Sequence, residues 1–178
     1  MNWEDFKEML TVEVVSITGG VTAGALLTLF THKVALIPGL FILMPGFLAL
    51  RGSTAATLAS RIGTALHLHK KSASQQKSAF VKQNIHASFL LTLVGSIFLG
   101  LASYIGTRLA FHVNEPRILL VAIIAGFISN ALLIPLTYGT TVWLFKNNYD
   151  PDNIMGPYIT TVGDIISVIS LLLAVLLV

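Results

Sequence analysis

From Pro151 to Val178 the chain runs for 28 residues with two acids and no lysine or arginine. As a helix this stretch measures about 42 Å, more than the ~30 Å hydrocarbon core of a bilayer. Asp164 falls about 20 Å from the Pro151 end, near the midplane. A carboxylate at that depth costs on the order of 3 kcal/mol on insertion scales. No neighbour in the run offsets the cost. Membrane helices that carry such a group turn it toward a partner, water or an ion. Asp164 is therefore read as facing a cation path.

The rest of the chain has the same character. Of its 178 residues 54% are hydrophobic and 11% are charged, against about 25% charged in a soluble domain. Mean hydropathy is +0.82. So little charge cannot cover a water-soluble globule. The fold class expected is an all-α integral membrane domain over residues 10–178, with five transmembrane helices near 10–31, 34–69, 85–111, 118–145 and 151–178. Residues 1–9 are polar, with Trp3 and Phe6 three apart, and read either as an amphipathic start at the interface or as a frayed helix start. The start is acidic, so no cleavable signal is expected. There is no cysteine, which excludes disulfides and thiolate metal sites. Nucleic acid is not an expected partner. No Gly-x-Ser-x-Gly, His-Glu-x-x-His or P-loop pattern is present, so enzyme chemistry has no support.

Span two is long and carries Pro38-Gly39 and Pro45-Gly46. Proline removes a backbone donor and crowds the preceding turn. These steps break the first half of the span, and the helix is expected to bend or open there; an opening is tolerated in lipid only beside protein or water. Beyond them Gly52, Ala56, Ser60 and Thr64 recur every four residues, with Ser53, Thr54 and Thr57 alongside. This small, polar stripe suits a close helix crossing, a narrow water-lined wall, or both. Gly20 and Gly24 in span one suggest close packing on a smaller scale. Asp150 is placed to cap span five, with Pro151 at the first helical position.

Lysine and arginine set the expected topology. Lys70, Lys71, Lys77 and Lys82 fill the loop between spans two and three, and Lys7 and Lys146 lie on the same side. Lys33, Arg108 and Arg117 lie on the other. The richer side is read as cytoplasmic, with the N-terminus inside and the C-terminus outside. Five is an odd number of spans, so the second half of any symmetric pore would be another copy of the chain.

Four charges lie in or near apolar runs: Glu13, Arg51, Arg61 and Asp164. Arg61 is close enough to the span end to snorkel to headgroups. Glu13 is either an interfacial acid or a vestibule group that concentrates cations. Arg51 either pairs with Asp164 or Glu13, or points away from the path. Thr160 and Thr161 lie about one turn before Asp164 and add oxygens. His32, His67, His69, His86 and His112 fall at span ends and loops. The donor set is all oxygen, which fits a hard cation rather than zinc or copper. Magnesium keeps several waters and takes one or two carboxylates. A two-fold dimer would bring two copies of Asp164 to one axis.

Two stretches also resemble a known family. In span two Pro45, Arg51-Gly52-Ser53 and Leu58-Ala59-Ser60-Arg61 follow a pattern of proline, about six residues, Lys/Gly-Gly-Asn, then Leu-Ala-Ser-Arg. In span five Asp150 to Asn153, Pro157, Thr160, Thr161, Gly163 and Asp164 follow Asp-Pro-Asp-Asn…Pro-x-x-Thr-Thr-x-Gly-Asp. Together they resemble the MgtE magnesium channels and, more closely, their eukaryotic solute-carrier relatives. The resemblance implies a homodimer that passes Mg2+, or another divalent cation, along its two-fold axis. The largely hydrated ion would sit against Asp164 and the Thr160 carbonyl, with Gly52 and Ser53 on the wall. Ser53 replaces the family's asparagine and removes an amide oxygen. No counterpart of the cytoplasmic sensor domains of bacterial members is present, so gating by such a sensor is not expected. Two other readings stay open: a membrane subunit with a structural Asp164–Arg51 pair, and an ion-coupled carrier of an organic solute.

Overall fold

The computed structural model describes residues 3–29, 31, 37–68 and 74–178. Lys33, Lys70 and Lys71, on which part of the topology count rests, lie outside the described residues, as do His32 and His69. Five helices follow one another: α1 Trp3–Leu29, α2 Leu40–Leu68, α3 Ser74–Phe111, α4 Arg117–Lys146 and α5 Pro151–Leu177. Each contains a stretch long and apolar enough to cross a membrane. The polar residues from Ser74 onward are helical, so α3 starts before its apolar stretch begins at Ala79.

The helix ends are closed by local chemistry. At α5 the Asp150 carboxylate accepts the Asp152 N–H at 3.0 Å, and Pro151 occupies the first turn, as the sequence suggests. At the end of α4 Asn148 adopts φ 61°. The Asn148 N–H then reaches the Phe145 carbonyl, and the Tyr149 N–H reaches Leu144, which satisfies two carbonyls that a helix end leaves open. Between α3 and α4 the Tyr104 hydroxyl donates to Asn114 at 2.8 Å. Arg117 grips Glu115 through two bonds of 2.6 and 2.8 Å.

The break expected in span two is corrected at Pro45-Gly46, not at Pro38-Gly39. Pro38-Gly39 forms the turn that launches α2. Gly39 has φ +87°, and its carbonyl accepts the N–H groups of Ile42 and Leu43. Pro45 lies inside an uninterrupted helix. It removes one bond, to the Phe41 carbonyl, in the second turn, and both residues are exposed. A single lost bond on an outer face bends a helix without opening it.

Helix α2 lies inside the bundle, against α3, α4 and α5, and α4 also packs on α3 and α5. One apolar cluster joins Leu40, Leu43 and Phe47 of α2 to Val121 of α4 and Leu171 and Ala174 of α5. A second joins Ala55 and Ala59 to Leu133, Met155 and Ile159. The α3–α4 crossing is tight: a Cβ on Gly100 or Gly126 would press on Ala122 or on Ser96.

Helix α1 packs on α5 alone among the substantial helix contacts. Its close approach is at Gly19, where a Cβ would fall on the Thr161 side chain. Gly20 and Gly24, expected to mediate packing, meet nothing within 4 Å in the protomer. The glycine that touches α5 is one residue away, about 100° around the helix.

Candidate cation site

Three sides of α5 are occupied near Asp164. Gly163 lies against Leu133 of α4. Thr161 is buried, and its hydroxyl meets the Ser16 hydroxyl of α1 at 2.7 Å and the Pro157 carbonyl at 3.0 Å. Ile159 and Met155 pack into the cluster with α2. The side left over carries Thr160 and Asp164, four residues apart and hence on one face. Thr160 is exposed and Asp164 half-buried. The Thr160 hydroxyl donates to the Gly156 carbonyl at 2.8 Å. Among the described residues Asp164 forms no hydrogen bond or ion pair with protein.

Helix α2 presents an open polar face of its own. Ser53, Thr57, Ser60 and Thr64 are all exposed. Their spacing of four, three and four residues keeps them on one stripe. Three hydroxyls fold back on their own helix: Ser53 to Leu50, Thr57 to Ser53 and Thr64 to Ser60, at 3.2, 2.8 and 3.0 Å. Such back-bonding lets a hydroxyl survive an apolar setting while its oxygen lone pairs stay available. Gly52 meets nothing within 4 Å. The close crossing suggested for this stripe occurs within the protomer only at Ala56, which packs beside Met155 and Ile159.

Helices α2 and α5 run antiparallel. Gly63 lies against Pro151 and Asp152, Ala55 and Ala59 share a cluster with Met155 and Ile159, and Leu40 and Leu43 share one with Leu171 and Ala174. Interpolation places Gly52 and Ser53 level with the turn that holds Thr160 and Asp164.

The other charges are placed differently. Arg51 is buried, 2% exposed, and its guanidinium donates to the Asn130 side chain of α4 at 2.8 Å. The suggested Arg51–Asp164 or Arg51–Glu13 pair is thereby corrected: the partner is a neutral amide inside the bundle. Arg61 reaches Asn84 of α3 at 3.0 Å. Glu13 is exposed and lines an open groove of about 530 Å³ with Phe6, Met9, Asp152, Asn153 and Pro157. Pro157 precedes Asp164 by two turns, about 10 Å along the axis. Asp152 and Asn130 were not singled out as site residues from the sequence. A polar group inside an apolar span was the signal for Asn130; Asp152 is adjacent to Glu13 only through the α1–α5 contact.

No three acids or histidines gather among the described residues. One protomer therefore offers a cation the Asp164 carboxylate, backbone oxygens and hydroxyls, a hard set suited to a hydrated divalent ion.

Residues 44–174 match the model of the MgtE family, described as a divalent cation transporter. Solute carrier family 41 member 2 from Homo sapiens and from Macaca fascicularis are each 28% identical over 155 residues. The Gallus gallus protein of that name is 28% identical over 159 residues. These matches cover 84% of this chain and 27% of each relative, so the chain spans about a quarter of the curated relatives' length. No solved structure matches. With its matched residues spanning α2 to α5 and five membrane-type helices, the chain is a multi-pass membrane protein and belongs to the MgtE family of divalent cation transporters.

Proposed function

We propose that this chain passes magnesium, or a similar hard divalent cation, along a pore formed where two copies meet. The observation that carries the reading is the setting of Asp164. It is half-exposed in the middle of α5 and has no protein partner among the described residues. Facing lipid, such a carboxylate would cost on the order of 3 kcal/mol. A second copy on this face, with a hydrated cation between two Asp164 carboxylates, removes that cost. Two carboxylates also balance the charge of a divalent ion. Closed two-fold pairing is the commonest symmetry for such an assembly.

Other residues fit around this centre. The Thr160 carbonyl supplies an oxygen one turn earlier, and Gly52 and Ser53 line the wall at the same height. A serine in place of a longer amide leaves room for water, which suits an ion that retains its hydration shell. Glu13, with Asp152 across the groove, draws cations toward one end of the path. Thr161 acts indirectly, holding α1 to α5 through Ser16. The lysine-rich face is cytoplasmic, with the N-terminus inside and the C-terminus outside.

The test is magnesium flux into liposomes containing the purified protein. Asp164→Ala and Asp164→Asn are expected to abolish it while the helical content stays unchanged. Unchanged flux in both would overturn the proposal. Flux of a neutral organic solute that depends on pH or sodium would favour the carrier reading.

A further inference from the structure

Arg51 is 2% exposed and lies between α2, α3 and α4. A guanidinium stays protonated in proteins. Its side-chain partner is Asn130, whose oxygen accepts from Arg51 Nη1 at 2.8 Å and whose NH2 donates to the Phe89 carbonyl at 3.2 Å. Asn130 brings no charge. The three surrounding helices bring none of opposite sign either: none of the chain's eight acids lies in α2, α3 or α4. Glu115, in the turn between α3 and α4, is taken by Arg117. A cavity of about 10 Å³ adjoins the guanidinium, room for one water at most. A water there would serve the otherwise unpartnered Nε–H and leave the charge as it is. Buried charges are ordinarily paired; this one stays uncompensated.

Its field reaches the candidate cation site. Arg51 immediately precedes Gly52 and Ser53, so it shares their depth, which is that of Thr160 and Asp164. It projects about 200° around α2 from Ser53. The guanidinium therefore lies behind the polar face, on the order of 15 Å from an ion beside Asp164. At an effective dielectric of about 20, one charge acting on a divalent ion over this distance changes its affinity on the order of ten-fold. In a two-fold pair, two Asp164 carboxylates and two Arg51 guanidiniums cancel while the site is empty. An arriving divalent ion makes this layer net positive. Without Arg51 the empty layer would be doubly negative and would hold the ion fast. Conduction needs a site that binds well enough to fill and weakly enough to empty.

We propose that Arg51 sets the release of the transported cation. Its charge, left uncompensated by the neutral Asn130, repels the ion through the body of α2 and keeps the affinity of the Asp164 site low. The inference rests on the reading of Asp164 as the cation site.

The test is magnesium flux into liposomes containing the full chain, measured against external Mg2+ concentration. Asn130→Asp keeps an acceptor for Arg51 and supplies the missing negative charge. Arg51→Gln keeps a donor for Asn130 and removes the positive one. Both are expected to lower the half-saturating Mg2+ concentration about ten-fold and to reduce the maximal rate, because release is slowed. Arg51→Lys, which keeps the charge, is expected to retain the wild-type half-saturating concentration. A purely structural role would reduce the maximal rate in all three and leave half-saturation where it was. An unchanged or raised half-saturating concentration in Asn130→Asp and Arg51→Gln, with wild-type flux still dependent on Asp164, would overturn this proposal alone. Wild-type flux indifferent to Asp164→Ala would overturn the cation-site reading and this proposal with it. Should one of the two neutralised variants fail to fold, the other decides.

Discussion

Arg51 and Asn130 stand 79 residues apart in sequence and 2.8 Å apart in space, joining α2 to α4 at the centre of the bundle. This bond ties the buried Arg51 to the scaffold, and among the described residues the Asp164 side chain has no ion-pair partner. Asn130→Leu would strand a buried guanidinium without its acceptor. Hydrogen bonds to charged groups are worth about 1.5–3 kcal/mol, and a loss of that size is expected in thermal or denaturant unfolding. Exchanging the charges at Arg51 and Asp164 is expected to give no rescue, because the two side chains do not meet. A charge-swapped double variant as stable as wild type would contradict the assignment.

The two-fold reading predicts which surface residues approach their own copies. The chain has no cysteine, so single cysteines report without background. Thr57→Cys or Ser60→Cys on the open face of α2 is expected to give a covalent dimer under mild oxidation in membranes. Phe98→Cys on α3, at a position 70% exposed, is expected to stay monomeric on a denaturing gel. The reverse pattern would place the pair interface on α3.

Gly39 begins α2 with a backbone that side chains resist. Alanine there meets the left-handed penalty, about 1–2 kcal/mol, and presses on Thr107 and Ile118. Gly39→Ala is expected to lower the unfolding midpoint. Gly139→Ala on α4, with nothing within 4 Å, is expected to leave it unchanged or raise it, since alanine is the better helix former.

The turn between α3 and α4 carries a pH signature. Arg117 hydrogen bonds hold the Glu115 carboxyl below its usual range. A depressed carboxyl adds stability above its unfolded pKa of about 4.3 and loses it as pH falls through the lower folded value. Glu115→Gln is therefore expected to be slightly less stable than wild type at neutral pH. The difference is expected to close in acid, measured as unfolding temperature against pH. A gap that widened below pH 4 would reverse the sign argued here.

The helices were legible because each apolar run exceeds the thickness of a bilayer, and α5 because Asp150-Pro151 is a strong start signal. The continuity of α2 was not. Proline chemistry says that a bond is lost at Pro45, but whether the turn opens depends on the surroundings of that turn, and both Phe41 and Pro45 are exposed. The small-residue stripe was visible at Gly52, Ser60 and Thr64, yet which side of it meets protein required the position of α5. The partner of Arg51 was hidden for a similar reason: a neutral amide leaves no complementary charge in the sequence. Asp164 stood out because a lone acid amid aliphatic residues has few structural explanations. Whether a second copy completes its site is the question for the cross-linking and flux measurements.

The docking of α1 on α5 has a consequence for biogenesis. In the order of synthesis α1 leaves the ribosome before the other four helices, and the helix it rests on leaves last. Until α5 arrives, α1 must stay in the membrane on the strength of its own hydropathy, and Ser16 has no Thr161 to meet. A nascent chain stalled before Pro151 should hold a loose first helix, open to protease or chaperone, that locks only once α5 has been made.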